Sequence, residues 1–309
     1  MSKIVIALGG NALQINNEAS ALAQEKVARS TIQKIIPLVK AGHEIVIVHG
    51  NGPQVGNVVL HEESIDTPTT PTMPLHVCVA MTQGMIGYWL QKALNEELRA
   101  NEMASHAVSI VTQIEIDAAD PAFDDASKPI GPFYTEQEAK ELESSKGYIV
   151  KEDAGRGWRR VVASPKPKHI IETEVVKDLM SSGTIVVAGG GGGVPVVKNG
   201  DDFTGTDAII DKDFVAELLA REIGADTLLI LTGVDNATIN YGTPEQAPLG
   251  IISASEARQH IADSQFAPGS MLPKIEAAAN FAEAGGRAII TSLENAENAI
   301  KQELGTVIK

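Results

Sequence analysis

Three times in this chain a short β-branched run passes directly into glycine, and that pattern leaves few folds open. Lys3-Ile4-Val5-Ile6-Ala7-Leu8 ends in Gly9-Gly10-Asn11, Glu44-Ile45-Val46-Ile47-Val48 runs into His49-Gly50-Asn51-Gly52-Pro53, and Thr184–Ala188 ends in five glycines, Gly189 to Gly193. Continuous apolar runs of this length read as buried strands, not one-sided ones. Residues 20–41 carry helical spacing (Leu22, Val27, Ile32, Ile35, Ile36, Val39) and close with Ala41-Gly42, a helix-stop signal. Strand, helix and strand in this order require right-handed crossovers. The expected fold is therefore α/β: three layers, doubly wound on a mostly parallel sheet.

The same alternation predicts a helix near 78–99, a strand around Ala107–Thr112, a helix Lys212–Ile223 and a strand Thr227–Leu231. Short helices at 253–261 and 274–284, a strand Arg287–Thr291 and a terminal helix follow. Between about 118 and 168 the order changes. Pro121, Pro129, Gly131 and Pro132 break up the first part, an acidic helix runs from Thr135 to about Ser145, and Tyr148–Val150 with Trp158–Val162 flank Asp153-Ala154-Gly155-Arg156-Gly157 as a hairpin. This stretch reads as an insertion protruding from the sheet. The expected division is an N-terminal lobe, 1–183, carrying that insertion, and a C-terminal lobe, 184–309.

Among its 309 residues the chain has 25 Lys+Arg against 40 Asp+Glu, a formal charge of −15. That balance argues against nucleic acid or an anionic membrane as the main partner. A single cysteine, Cys78, excludes a disulfide framework and a thiolate metal cluster. The N-terminus is too poor in apolar residues for a signal peptide, and no apolar run approaches the roughly 18 residues of a membrane span. A cytoplasmic protein is expected.

Several chemistries fail on inspection. There is no GxSxG and no GxxxxGK[ST], and His61-Glu62-Glu63 lacks the second histidine of HExxH. Gly50-x-Gly52-x-x-x-Gly56 follows a strand but has one residue too many for a dinucleotide fingerprint. The acidic residue near the ribose position, Asp66, lies among prolines, not at a strand end. What remains is glycine at the carboxyl ends of strands, where open parallel sheets hold ligands. There glycine either makes a tight turn or lets backbone amides approach an anion.

Lysine placement favours the anion. Lys212, beside the expected N-cap Asp211, and Lys274 each sit in the first turn of a helix, where a cation opposes the macrodipole by roughly 0.3–1 kcal/mol. One such lysine is ordinary surface. Two, each beside a glycine-bearing segment, suit an anion site in which Asp213 holds both ammonium groups between substrates. Phosphoryl transfer needs such positioned charge above all. Lys128, inside the insertion, alone reads as a solvated loop lysine, and Arg156, Arg159, Arg160, Lys166 and Lys168 read first as a solvated face. Cys78 reads as a small buried residue, and His49 as either a base or a hydrogen-bonded structural histidine.

At these residues the sequence resembles the amino acid kinase family and, within it, the carbamate kinases. The segments that carry the resemblance are ALGGNA (7–12), VHGNGPQVGN (48–57), CVAMTQGMIGYWL (78–90), KPIGPF (128–133), KEDAGRGWR (151–159), SPKP (164–167), GGGGVPVV (190–197), IDKDF (210–214), LTGVD (231–235) and APGSMLPKIEAA (267–278). They span nearly the whole chain in order, with looser agreement at about 243–265 and in the tail. The resemblance implies the amino acid kinase fold and the reversible reaction carbamoyl phosphate + ADP ⇌ carbamate + ATP. It implies Lys128, Lys212 and Lys274 as catalytic lysines and Asp213 as the organising aspartate. Substrate would lie on Gly9, Gly10, Asn11, Gly50, Asn51 and Gly52, and nucleotide on Gly233, Val234, Tyr241, Met271 and Lys274. Mg²⁺ would come on the nucleotide phosphates with no protein ligand. A cytoplasmic homodimer making ATP in arginine (arginine deiminase) or other carbamoyl-phosphate breakdown is implied too. Acetylglutamate kinases carry a lysine where this chain has Ala7, a position whose charge Lys212 would replace. A kinase for another acyl or carboxylate acceptor, and a non-catalytic metabolite sensor on the same fold, are the alternatives.

Overall fold

The computed structural model describes residues 2–9, 13, 18–153 and 155–309. Among these, eight strands form one sheet in the order Ile251–Ile252, Thr306–Ile308, Arg287–Ser292, Thr227–Thr232, Lys3–Leu8, Glu44–His49, Ile185–Val187, Ala107–Ser109. Every neighbouring pair is parallel except Thr306–Ile308 against Arg287–Ser292. The strands are apolar throughout because both faces are covered. Val5, Ala7, Val46 and Val48 face a core shared with the helices Thr173–Ser181, Lys212–Glu222 and Leu272–Glu283. Ile4, Ile6, Leu8, Ile45 and Ile47 face one shared with Ala21–Lys40 and Leu75–Ala100. Alternate residues thus divide between two helical layers.

Strand order reverses at Lys3–Leu8, which has Glu44–His49 on one side and Thr227–Thr232 on the other. A crevice opens outside the carboxyl ends at such a reversal. The register pairs Leu8 with both His49 and Leu231, so Gly9, Gly50 and Thr232 stand at one level at the carboxyl edge.

The segment within 118–168 departs from the βα repeat as expected. Lys128–Tyr134, Trp158–Val162 and Ile149–Glu152 form a separate antiparallel sheet, which includes the expected hairpin. Thr135 starts the helix Glu136–Lys146 with a reciprocal capping box to Glu138, and Gly147 ends it in the left-handed region at φ 67°. Outside this sheet, Pro167–Ile170 and Gln113–Ile116 join Val194–Asn199 and Asp202–Gly205 in a four-stranded sheet that the sequence pattern does not suggest.

Three other elements differ from expectation. The strand expected to reach Thr112 stops at Ser109, because Gln83 pairs with the main chain of Thr112 in both directions, at 2.9 and 3.1 Å. Gly52–Ser64 is a helix, masked in the sequence by Gly56, Val55, Val58 and Val59, all weak helix formers; its one start signal is Pro53 in the first turn. A last strand, Thr306–Ile308, follows the terminal helix Ala296–Gln302.

Candidate active site

Asp211 caps the helix Lys212–Glu222 by accepting from the Asp213 amide at 2.9 Å. The cap fixes the first turn, and with it the directions of Lys212 and Asp213. Asp213 is buried, with its side chain 1% exposed, and its two oxygens accept from two different lysines. Lys212 Nζ lies 2.8 Å from Oδ1 and Lys274 Nζ 3.1 Å from Oδ2. Lys274 comes from the first turn of the helix Leu272–Glu283, four residues after Ser270 of the Pro268-Gly269-Ser270 loop, and also donates to the Ser270 carbonyl at 3.1 Å. Lys128, at the start of the inserted sheet, pairs with Asp211. Elements far apart in sequence thus bring three ammonium groups and two carboxylates together at the carboxyl edge of the main sheet.

The glycines make room for them. A Cβ on Gly50 would stand 3.2 Å from Lys212 Cδ, so the lysine stem lies across that glycine, and one on Gly52 would stand 3.7 Å from the Pro129 carbonyl oxygen. The Gly9 and Gly50 amides donate to the carbonyls of Leu231 and Leu8, both at 3.1 Å. These two glycines therefore supply close approach, not donors. Gly10 and Asn11 lie outside the described residues. Asn51 is buried and donates to Thr82 Oγ1 at 2.8 Å.

The five-glycine run, an anion-loop candidate in sequence, packs closely against the walls of the site. The amides of Gly189, Gly192 and Gly193 are taken by Thr112 Oγ1, Gly189 O and Gly190 O. A Cβ on Gly190 would strike His49, and one on Gly191 would strike Asn51.

Charge follows the geometry. Burial alone would raise the Asp211 carboxyl, but Lys128 and Lys212 outweigh it and hold the group well below the usual carboxylate range. Burial likewise works against the Lys212 ammonium, and Asp213 and Asp211 overcome it, so its pKa rises. Lys274 goes the other way: burial and the neighbouring Lys212 charge lower it despite Asp213.

Gly233, Val234 and Tyr241 lie on the exposed segment after Thr227–Thr232, with Tyr241 79% exposed. Met271 immediately precedes the Lys274 helix and packs partly against the core. The basic residues between 156 and 168 named above each have an acidic neighbour: Arg156 and Arg159 on Asp153, Arg160 on Glu63, Lys166 on Glu276, Lys168 on Asp117. Cys78 is buried, and burial pushes its thiol up to about 11, leaving it a poor nucleophile. The sequence reading missed the pairing role of Asp211. The Asp-Lys-Asp triplet identified a cap, but its partner lies 83 positions away.

His49 proves to be structural. It is buried, its Nδ1 donates to the Gly50 carbonyl at 2.9 Å, and burial lowers its pKa from 6.5 to about 4. The unfolded chain therefore binds this proton at higher pH than the folded one, and stability falls as pH falls between those values. The loss reaches about 2 kcal/mol near pH 5 and about 3 kcal/mol below pH 4. Urea midpoints at about pH 7.5 and 5 should fall further for the parent protein than for His49→Gln; equal falls would remove His49 as the cause.

Among the described residues no helix is long and apolar enough to cross a membrane, and no three His, Cys, Asp or Glu side chains are grouped to hold a metal ion.

Comparison with known proteins places these features among relatives. The model of the amino acid kinase family matches residues 2–292. Carbamate kinase 1 of Enterococcus faecium is 50% identical over 309 residues, covering 99% of this chain and 98% of that one. A carbamate kinase from Giardia lamblia bound to citric acid superposes with a TM-score of 0.94 at 43% identity, covering 99% of this chain and 98% of that chain. The Giardia lamblia carbamate kinase bound to AMP-PNP superposes with a TM-score of 0.90, at the same identity and coverage.

Proposed function

This chain belongs to the amino acid kinase family and is a phosphotransferase, and on that premise we propose that it moves a phosphoryl group between carbamoyl phosphate and ADP. The observation that carries the reading is Asp213, buried between Lys212 and Lys274, with Lys128 brought to Asp211 beside them. In the direction of ATP synthesis, a β-phosphate oxygen of ADP attacks the phosphorus of carbamoyl phosphate. The bond between that phosphorus and the carbamoyl oxygen breaks, and carbamate leaves with the electron pair. Nucleophile and leaving group are both already anionic, so no proton has to move. A site made of fixed cations, without a free base, suits that chemistry.

In this reading Lys212 and Lys274 hold the phosphoryl oxygens, and Asp213 keeps the two ammonium groups aimed. Lys128 exchanges Asp211 for the carbamoyl phosphate. Gly9, Gly50, Asn51 and Gly52 of the N-terminal lobe line the carbamate side, and Gly233, Val234, Tyr241 and Met271 of the C-terminal lobe the nucleotide. Both oxygens of Asp211 and of Asp213 already accept from protein donors, which supports Mg²⁺ arriving on the nucleotide phosphates. The proposal extends to a cytoplasmic homodimer that makes ATP during arginine or other carbamoyl-phosphate breakdown, the settings that the family resemblance implies.

Purified protein mixed with ADP, Mg²⁺ and carbamoyl phosphate should form ATP in a coupled assay, and acetyl phosphate should do so poorly. No ATP from either donor, despite a thermal shift with ADP, would favour a different acceptor or a sensor. Both substrates are anionic while the chain carries −15, so local lysines must overcome a repulsive overall field. Capture should therefore be faster at moderate salt than at very low salt. A kcat/KM that falls steadily from the lowest ionic strength upward would contradict this.

A further inference from the structure

One face of the helix Gly52–Ser64 seats the inserted sheet. Residues 52, 56, 59 and 63 recur at three- and four-residue steps, which aligns them along one side. Gly52 lies beneath the Pro129 carbonyl, and a Cβ on Gly56 would stand 2.0 Å from Gly131 Cα, so helix and strand meet backbone to backbone. Val59 shares a core with Ile130 and Val162 that also takes in Cys78, Val79, Val194 and Ile209 of the main body. At the far end, Glu63 takes the Lys146 ammonium at 2.5 Å, Arg160 Nη1 at 3.3 Å and the Tyr148 hydroxyl. The Arg160 guanidinium also lies 3.9 Å from the centre of the Tyr148 ring.

This is more than a solvated ion pair. One carboxylate gathers three donors, two of them charged, and the Tyr148 ring it anchors is buried in the small core of the insertion with Ala139 and Val150. Ile130 and Val162 hold the inserted sheet to the body of the molecule at the Lys128 end of the strand, and Glu63 holds it at the other end of the helix. Lys128 begins the strand whose Gly131 touches Gly56, so any tilt of the sheet on the helix moves the ammonium group.

We propose that Glu63 is a positioning residue for Lys128: by binding Lys146, Tyr148 and Arg160 it fastens the inserted sheet to the helix Gly52–Ser64 and sets how far Lys128 reaches toward the phosphoryl group. The identity of that group rests on the reaction proposed above; the fastening does not.

Glu63→Ala and the milder Glu63→Gln test both parts. With ADP and carbamoyl phosphate, Glu63→Ala should raise KM for carbamoyl phosphate about fivefold or more and leave KM for ADP within about twofold, since small misplacements of a catalytic group are costly. Glu63→Gln should shift it less. In a Lys128→Ala background, Glu63→Ala should add less than about twofold, because the group it positions is gone. Losses that multiply in the double variant, or an equal rise in the ADP KM, would overturn the positioning role. Hydrogen exchange gives a readout independent of the reaction. Amides of 128–134 and 158–162 should exchange about tenfold faster in Glu63→Ala, with Lys3–Leu8 and Glu44–His49 unchanged. Unaltered exchange in the inserted sheet would overturn the fastening. Faster exchange there in a protein that makes no ATP from carbamoyl phosphate would uphold the fastening and count against the reaction.

Discussion

Asp213→Asn should lower kcat by about three orders of magnitude while changing either KM by no more than a few-fold. The carboxylate is buried, and each oxygen accepts from one lysine, Lys212 at 2.8 Å and Lys274 at 3.1 Å. Asparagine keeps the volume but offers one acceptor and no charge. Two ammonium groups would then face each other with only Asp211 to offset them, and each would turn toward whatever acceptor it could reach. Removing a single preorganised donor costs about 10²–10³ in kcat; Asp213 aims two. The loss falls on kcat because negative charge shifts only after binding, as the phosphorus–oxygen bond opens and the electron pair goes to the leaving oxygen, and the aimed ammonium groups are placed to meet that redistribution. Lys212→Ala should show the same pattern, and Asp213→Asn combined with it should cost less than the product of the two, since both act on one array. Steady-state kinetics with carbamoyl phosphate and ADP varied in turn decide the matter. A rise in both KM values with kcat intact would place Asp213 in binding alone.

The features that proved legible in sequence are those that leave a local mark, in a strand's apolar pattern or a helix's first turn. The central strands declared themselves because Ile4 to Leu8 and Ile45 to Val48 are apolar on both alternations, which only a doubly covered sheet requires. Asp211 was visible as a cap because its partner amide is two positions away. The joint hold of Asp213 on Lys212 and Lys274 could be anticipated because both lysines open helices, and the fold brings all three together.

Features set by distant packing were not legible. The helix Gly52–Ser64 has poor intrinsic propensity, and its glycine and valine face is explained by the inserted sheet seated on it. The pairing of Lys128 with Asp211 joins positions that no local pattern connects. The five glycines gave an ambiguous signal, since a loop that approaches an anion and a loop that approaches other protein atoms need the same residue. Opposite the side-chain positions of Gly190 and Gly191 lie His49 and Asn51, a packing need that no local pattern announces.

Gly192→Ala should be the most damaging single methyl that this chain can receive in that loop. Gly192 has φ +88°, and a Cβ there would stand 2.0 Å from the Ile210 carbonyl oxygen and 2.8 Å from its carbon. Both are backbone atoms, so no side-chain rotation relieves the overlap. The chain that must move leads directly into Asp211, Lys212 and Asp213. The backbone conformation alone costs an alanine about 1–2 kcal/mol, and forcing apart two packed main-chain segments adds about 1–3 kcal/mol or more. A total of about 4 kcal/mol is a large share of the stability of an ordinary domain. Gly200 supplies the control, with φ +64° and nothing within 4 Å of an added Cβ; alanine there should cost only the conformational part, about 1–2 kcal/mol. Urea unfolding of the two variants separates strain from collision. Gly192→Ala should either fail to accumulate as folded protein or show a midpoint far below that of Gly200→Ala. Whatever folded fraction it retains should have lost most of its kcat, because displacing Ile210 shifts the cap that aims Lys212. Equal midpoints for the two alanines would mean that the loop yields freely and that the approach of Gly192 to Ile210 does not brace the site.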